Sequence, residues 1–140
     1  MAFLSKSIFV NLPVKDLNKT VEFFTQIGFE FNPQFTDENA TCMIIGENIY
    51  AMLLVEPFFK TFIQKEIADA AKTTEVIVAL SADSREQVDE IVNKALAAGA
   101  KPYNEPIDHG FMYSWSFQDI NDHLWELVHM DENAVPPHAE

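Results

Sequence analysis

The chain has 140 residues, 48% of them hydrophobic, with 12 phenylalanines and a formal net charge of −13. This is enough apolar material for one compact domain or two small repeats sharing a core, and too much for a disordered chain. The acidity argues against nucleic acid or an anionic membrane surface as a partner, because both repel a negative protein; it is compatible with a cationic ligand.

The longest apolar runs, such as residues 50–55, are far too short to span a bilayer. The opening MAFLSKSIFVNL has no basic stretch followed by a long apolar one, so no secretory leader is expected. A single cysteine, Cys42, rules out an internal disulfide framework and suits a reducing compartment, so a cytoplasmic location is expected.

Residues 7–12 alternate as a strand, with Ile8, Val10 and Leu12 on one face and Phe9 and Asn11 on the other; Pro13 is expected to end it. Asp16 is placed to cap a helix running to Ile27, where Gly28 stops it. Residues 29–35 read as a strand. Residues 41–45 and 49–55 read as two more, joined by the turn Gly46-Glu47-Asn48. Residues 56–72 are partly helical and connect this half to the next.

The second half repeats the order. Residues 75–81 form a strand, and Ser84 with Gln87 makes a capping box for a helix that ends at Gly99. Strands over 100–103, 111–117 and 123–130 follow, and 132–140 reads as a loose tail. Two β-α-β-β-β halves in one short chain are an internal repeat. The predicted fold is α+β: two βαβββ modules forming a curved mixed sheet that encloses a cavity. Module one covers about 5–57, a connector 58–73 and module two 74–131, in one domain over 1–131.

Glu126 stands out. It shares a strand face with Leu124, Val128 and Met130, where a charge is costly unless something pairs with it. His123 and His129 alternate with it and are expected on the opposite face. His109 lies in the loop before Phe111, where it can reach the mouth of the cavity.

The stretches FVNLPVKDLNKTVEFFTQIGF, AMLLVEP and VDEIVNKALAAGAKPYNEPIDHGFMYSWSFQDINDHLWELVHMD, in that order and spacing, resemble the vicinal oxygen chelate superfamily. That group contains glyoxalase I, bleomycin-resistance proteins, fosfomycin-resistance enzymes and extradiol dioxygenases. The resemblance implies a divalent metal held by His and Glu from four strands. Carried over residue by residue, the four positions fall at Phe9, Leu53, Ile77 and Glu126, and only the last is a ligand type. A lone carboxylate does not hold a transition metal tightly. The resemblance therefore implies the fold with a degenerate metal site. No cofactor is expected, and a divalent metal held by Glu126 with His109 is the minor alternative.

The cavity is expected to be lined by Phe9, Asn11, Leu53, Ile77, His109 and Glu126. The strand at 111–117 adds either its Tyr113, Trp115 and Phe117 face or its Met112, Ser114 and Ser116 face. An aromatic wall with one carboxylate suits a planar or cationic organic ligand. The first expectation is thus a metal-free protein that binds a small molecule. The second is a lyase, isomerase or dioxygenase-like enzyme in which Glu126 acts as general base or metal ligand, with Tyr113 or Asn11 donating to a developing oxyanion. A third is a purely structural Glu126. No phosphate loop, paired cysteines, Ser-His-Asp order or basic stripe supports other chemistry. The resemblance and the exposed sheet edges imply a homodimer.

Overall fold

The computed structural model describes residues 1–131 and 133; the remainder of the expected tail lies outside the described residues. The chain forms two compact units, Met1–Ala68 and Asp69–Glu140. The first contains β1 (Ile8–Val14), α1 (Leu17–Ile27), β2 (Glu30–Asn32), a 3-10 turn (Pro33–Phe35), β3 (Ala40–Gly46), β4 (Ile49–Val55) and the short helix α2 (Glu56–Lys60). The second contains β5 (Ile77–Ser81), α3 (Arg85–Ala97), β6 (Lys101–Pro102), β7 (Ile107–Asp108), β8 (Met112–Gln118) and β9 (Leu124–Met130).

Each unit builds one mixed sheet. The first has the order β1-β4-β3-β2, and the second β5-β9-β8-β6 with β7 also paired to β8. In both, the first strand lies parallel to the last, β1 to β4 and β5 to β9, while the other pairs are antiparallel. A parallel pair needs a long crossover, and α1 or α3 supplies part of it.

Local chemistry explains the helices. The Asp16 carboxylate accepts from the Lys19 amide at 3.0 Å, and Gly28, with φ of 122°, closes α1 in a conformation that side chains rarely adopt. Ser84 Oγ accepts from the Gln87 amide at 3.0 Å, while Gln87 Oε1 reaches back to the amide of Asp83, at 2.6 Å. The returning arm of the capping box thus lands one residue earlier than expected.

Several boundaries differ from the sequence reading. Pro13 does not end β1, which runs on to Val14. β1 is an edge strand, where a residue without an amide proton removes no essential ladder bond. The strand expected over 29–35 shortens to three residues because Asn32 caps the 3-10 turn through the Gln34 amide at 3.0 Å. The connector is helical only over Glu56–Lys60.

The turn between β8 and β9 is organised by a buried carboxylate. Asp119, 1% exposed, accepts from the amides of Asn121 at 2.7 Å and His123 at 3.0 Å, and from Trp125 Nε1 at 2.8 Å. Its own amide donates to the His123 carbonyl at 2.8 Å, and the Asp122 amide donates to its carbonyl at 2.9 Å. Asp122 sits at φ of 72°, a left-handed position that Asp tolerates, and accepts from Lys101 Nζ at 2.9 Å and Gln118 Nε2 at 3.0 Å. Burial pushes the Asp119 carboxyl above the usual range; the charge of His123 and the donated hydrogen bonds oppose that shift.

Replacing Asp119 by Ala leaves a buried indole N–H and two turn amides without their acceptor. The expected loss of stability is at least about 2 kcal/mol, measured by urea or thermal unfolding. Asp119→Asn should lose less, because its amide oxygen still accepts. An Ala variant as stable as the parent would show that the turn is held some other way.

Candidate functional site

Strand register sorts the expected site residues into faces, because side chains alternate. In the first sheet Leu12 pairs with Leu53 and Val14 with Val55, whereas Phe9 pairs with Tyr50 and Asn11 with Met52. Leu12, Val14 and Leu53 are 5%, 1% and 1% exposed, and they form a buried row with Met43 and Ala51. That row is the one the apolar side of α1, with Phe23, Phe24 and Ile27, can cover. Leu53 therefore belongs to the core and is not placed to touch a ligand, contrary to expectation. The expected register was off by one residue, which moves a side chain to the other face.

Phe9 and Asn11 occupy the opposite face. The Phe9 ring stacks on Tyr50 with centroids 5.0 Å apart, and Asn11 Nδ2 donates to the Phe9 carbonyl at 3.3 Å. Both residues are exposed.

In the second sheet Glu126 pairs with Ala79 on β5 and with Ser116 on β8. Ile77, Ser114 and Met112 share its face through their pairing with Leu124, Val128 and Met130. Tyr113, Trp115 and Phe117 pair with His129, Leu127 and Trp125 on the other side.

That other side is the one α3 covers. The Tyr113 hydroxyl donates to Asp89 of α3 at 2.6 Å, and Arg85, at the start of α3, lies over the Tyr113 ring at 5.2 Å. Trp115 Nε1 donates to the Asn104 carbonyl at 3.0 Å. His129 Nδ1 lies 3.1 Å from the Ala82 carbonyl oxygen.

The aromatic wall expected beside Glu126 is therefore not there. Of the two faces expected of this strand, the one with Met112, Ser114 and Ser116 shares the side of Glu126, and Tyr113 and Trp115 do not. Tyr113 is also poorly suited to donate a proton. Its hydrogen bond to Asp89, then burial, hold the hydroxyl up at about 12.

His109 does not join Glu126 either. It occupies the turn between β7 and β8, where its amide donates to the Met112 carbonyl at 2.8 Å and its ring stacks on Phe111. Glu126 lies opposite Ser116, and strands rise about 3.3 Å per residue, so Met112 is roughly 13 Å along β8 from that pair. The turn is pinned instead by Arg85, whose guanidinium donates to both Asp108 carboxylate oxygens, at 2.7 and 3.1 Å, and to the Gly110 carbonyl at 3.0 Å. The bonds from Arg85 and from the Gly110 amide hold the Asp108 carboxyl down at about 2.

In the sequence the two serines are only one of two possible faces of β8. The signal that selects them is Asp89, four residues after Arg85 on α3 and placed to hold the Tyr113 hydroxyl.

The donor set does not fit the metal that the fold family implies. Of the four carried-over positions only Glu126 is a ligand type, and Leu53 faces the core. Among the described residues no three His, Cys, Asp or Glu side chains gather where they could hold an ion.

Comparison with known proteins agrees with this architecture. Residues 6–46 match the family described as bleomycin resistance protein-like N-terminal. Hypothetical protein SA1046 from S. aureus is 28% identical, with a TM-score of 0.76 over 91% of this chain and 95% of that one. The tetragonal form of the fosfomycin resistance protein FosX from Listeria monocytogenes is 28% identical, with a TM-score of 0.62 over 91% of this chain and 92% of that one. A glyoxalase/bleomycin resistance protein/dioxygenase family enzyme from Burkholderia phytofirmans PsJN shares the fold at 17% identity, with a TM-score of 0.72 over 87% and 96% of the two chains. Among curated proteins nothing matches. No helix of the described residues is long and apolar enough to cross a membrane.

The Tyr113–Asp89 bond has a measurable consequence. A hydroxyl whose pKa is raised by folding adds stability that is fully present below the unfolded value, near 10, and is lost as pH rises through about 12. An alkaline absorbance titration should show one tyrosine ionising near pH 12. Tyr113→Phe should remove that step and Asp89→Asn should move it down. An unchanged titration in Asp89→Asn would contradict the bond.

Proposed function

We propose that this chain of the vicinal oxygen chelate superfamily, with its degenerate metal positions, binds a small organic molecule without a metal, on the helix-free face around Glu126. The observation that carries this is the company Glu126 keeps. Its cross-strand neighbours are Ala79 and Ser116, and the face continues through Ile77, Ser114 and Met112. One carboxylate, two hydroxyls and apolar flanks are a common mixture for holding and orienting an organic ligand. The set offers a transition metal too few ligands.

Ile77, 56% exposed, and the half-buried Met112 supply apolar surface. Nothing here favours nucleic acid, given a charge of −13. A homodimer is part of the proposal. β1 and β5 are edge strands, and the exposed Ile8 and Ile77 lie on them. Such edges invite pairing with a second copy. A cytoplasmic location is proposed on the single, buried, free Cys42.

A second reading has one observation in its favour. The 28% identity reaches a fosfomycin resistance protein, and another form of that protein, 23% identical to this chain, is described in complex with Mn(II) and sulfate ion. On that reading the chain is a lyase, isomerase or dioxygenase-related enzyme in which Glu126 is a base or a ligand.

Thermal unfolding with added Mn(II), Ni(II), Zn(II) or Fe(II) separates the two, since anything that binds only the native state raises the melting temperature. The metal-free reading expects shifts no larger than those in Glu126→Gln, and no stoichiometric metal in the purified protein. A specific shift that Glu126→Gln abolishes would establish the metal-dependent reading.

A further inference from the structure

We infer that the ligand held by the Glu126 face is an organic cation, a primary ammonium, amidine or guanidinium, and that Ser116 and Ser114 share in recognising it. The inference rests on the binding function proposed above and adds the chemical class.

Three observations bear on the class. The first is an uncompensated negative charge. Glu126 is half-buried, its two cross-strand neighbours are neutral, and among the described residues no ion pair or side-chain hydrogen bond engages it. A carboxylate held partly out of water without a partner favours a cation that brings its own N–H donors.

The second concerns the hydroxyls. Ser114 and Ser116 are 3% and 9% exposed, yet neither side chain has a protein partner among the described residues. Buried hydroxyls are ordinarily paired. Among the described residues no fully buried side-chain oxygen lacks a partner, so the two hydroxyls keep a small contact with the exterior. A serine hydroxyl both accepts and donates. Ser116 can therefore accept an N–H from a bound cation while donating to the Glu126 carboxylate beside it.

The third is that the two cations nearest this sheet, Lys101 on β6 and Arg85 at the start of α3, are already engaged. Lys101 extends this face through its pairing with Gln118, but its ammonium is bound to Asp122 at 2.9 Å. Arg85 lies at the start of α3, on the covered side, and is taken up by Asp108. A phosphonate or carboxylate ligand would meet the Glu126 carboxylate, with neither of these two cations free to offset the repulsion. The small side chain of Ala79 leaves one flank of Glu126 open, and Ile77, on the same strand, offers apolar surface to a ligand body.

Four probes of similar size test the class at pH 7 by calorimetry and thermal shift: benzylamine, benzamidine, benzyl alcohol and phenylphosphonate. The two cations should bind, and phenylphosphonate should not. Glu126→Gln, nearly the same in shape, should weaken the cations at least about tenfold, as expected for loss of a charge-assisted bond. Ser116→Ala should weaken them severalfold, and added salt should weaken them in the parent protein only. The unliganded melting temperature of each variant reports whether it is folded. Equal binding of benzyl alcohol and benzylamine, or cation binding that survives Glu126→Gln, overturns the inference but leaves small-molecule binding standing. Failure of both cations while phenylphosphonate binds overturns it in favour of an anionic ligand. Failure of all four overturns the inference and also counts against the binding function.

Discussion

The candidate site depends on which way one strand faces, and that is set by the turn Asp119 holds together. Its carboxylate accepts from two turn amides and from Trp125 Nε1. The indole belongs to β9 itself, so the bond fixes the turn and also the side to which the odd-numbered residues of that strand point. With Trp125 on the α3 side, Glu126 is committed to the opposite face. A one-residue slip would bury the carboxylate beneath α3 and expose an indole, and both changes are costly.

The same constraint divides the polar groups of the second unit into two sets with different work. On the covered side Tyr113, Asp89, Arg85 and Asp108 bond to one another and to the backbone, and they join α3 to the β7–β8 hairpin. Their shifted acidities, Asp108 low and Tyr113 high, report these bonds and not reactivity. On the side away from α3, Glu126, Ser114 and Ser116 are left without protein partners among the described residues. Perturbed acidity often marks a functional site, but here the perturbed groups are structural. The candidate site is recognised by unfilled hydrogen-bonding capacity instead.

Much of the fold was legible in the residues. The caps at Asp16 and Ser84, the stops at Gly28 and Gly99, and the alternation of β1 and β9 are local signals, and they located the two long helices and most strands. The repeat and the family resemblance implied two four-stranded modules, whereas the sheet order and the pairing of first strand with last are visible only in the structure. The faces of β4 and β8 were harder to read. β4 is apolar on both sides, from Ile49 through Leu54, so alternation does not say whether Leu53 or Met52 faces the helix. In β8 a row of aromatics alternates with a row of small polar residues. The plausible guess puts aromatics in a ligand cavity, but here they pack beneath α3. Only cross-strand register, and partners distant in sequence such as Asp89 for Tyr113, decide such cases.

The most direct test of the account is an NMR map of the face a ligand touches. Benzamidine titrated into labelled protein should perturb the signals of Ala79, Ser114, Ser116 and Glu126 while leaving the indole N–H resonances of Trp115 and Trp125 in place. Perturbations centred on Tyr113, Trp115 and α3, with the Glu126 neighbourhood silent, would contradict the assignment of the Glu126 face as the site.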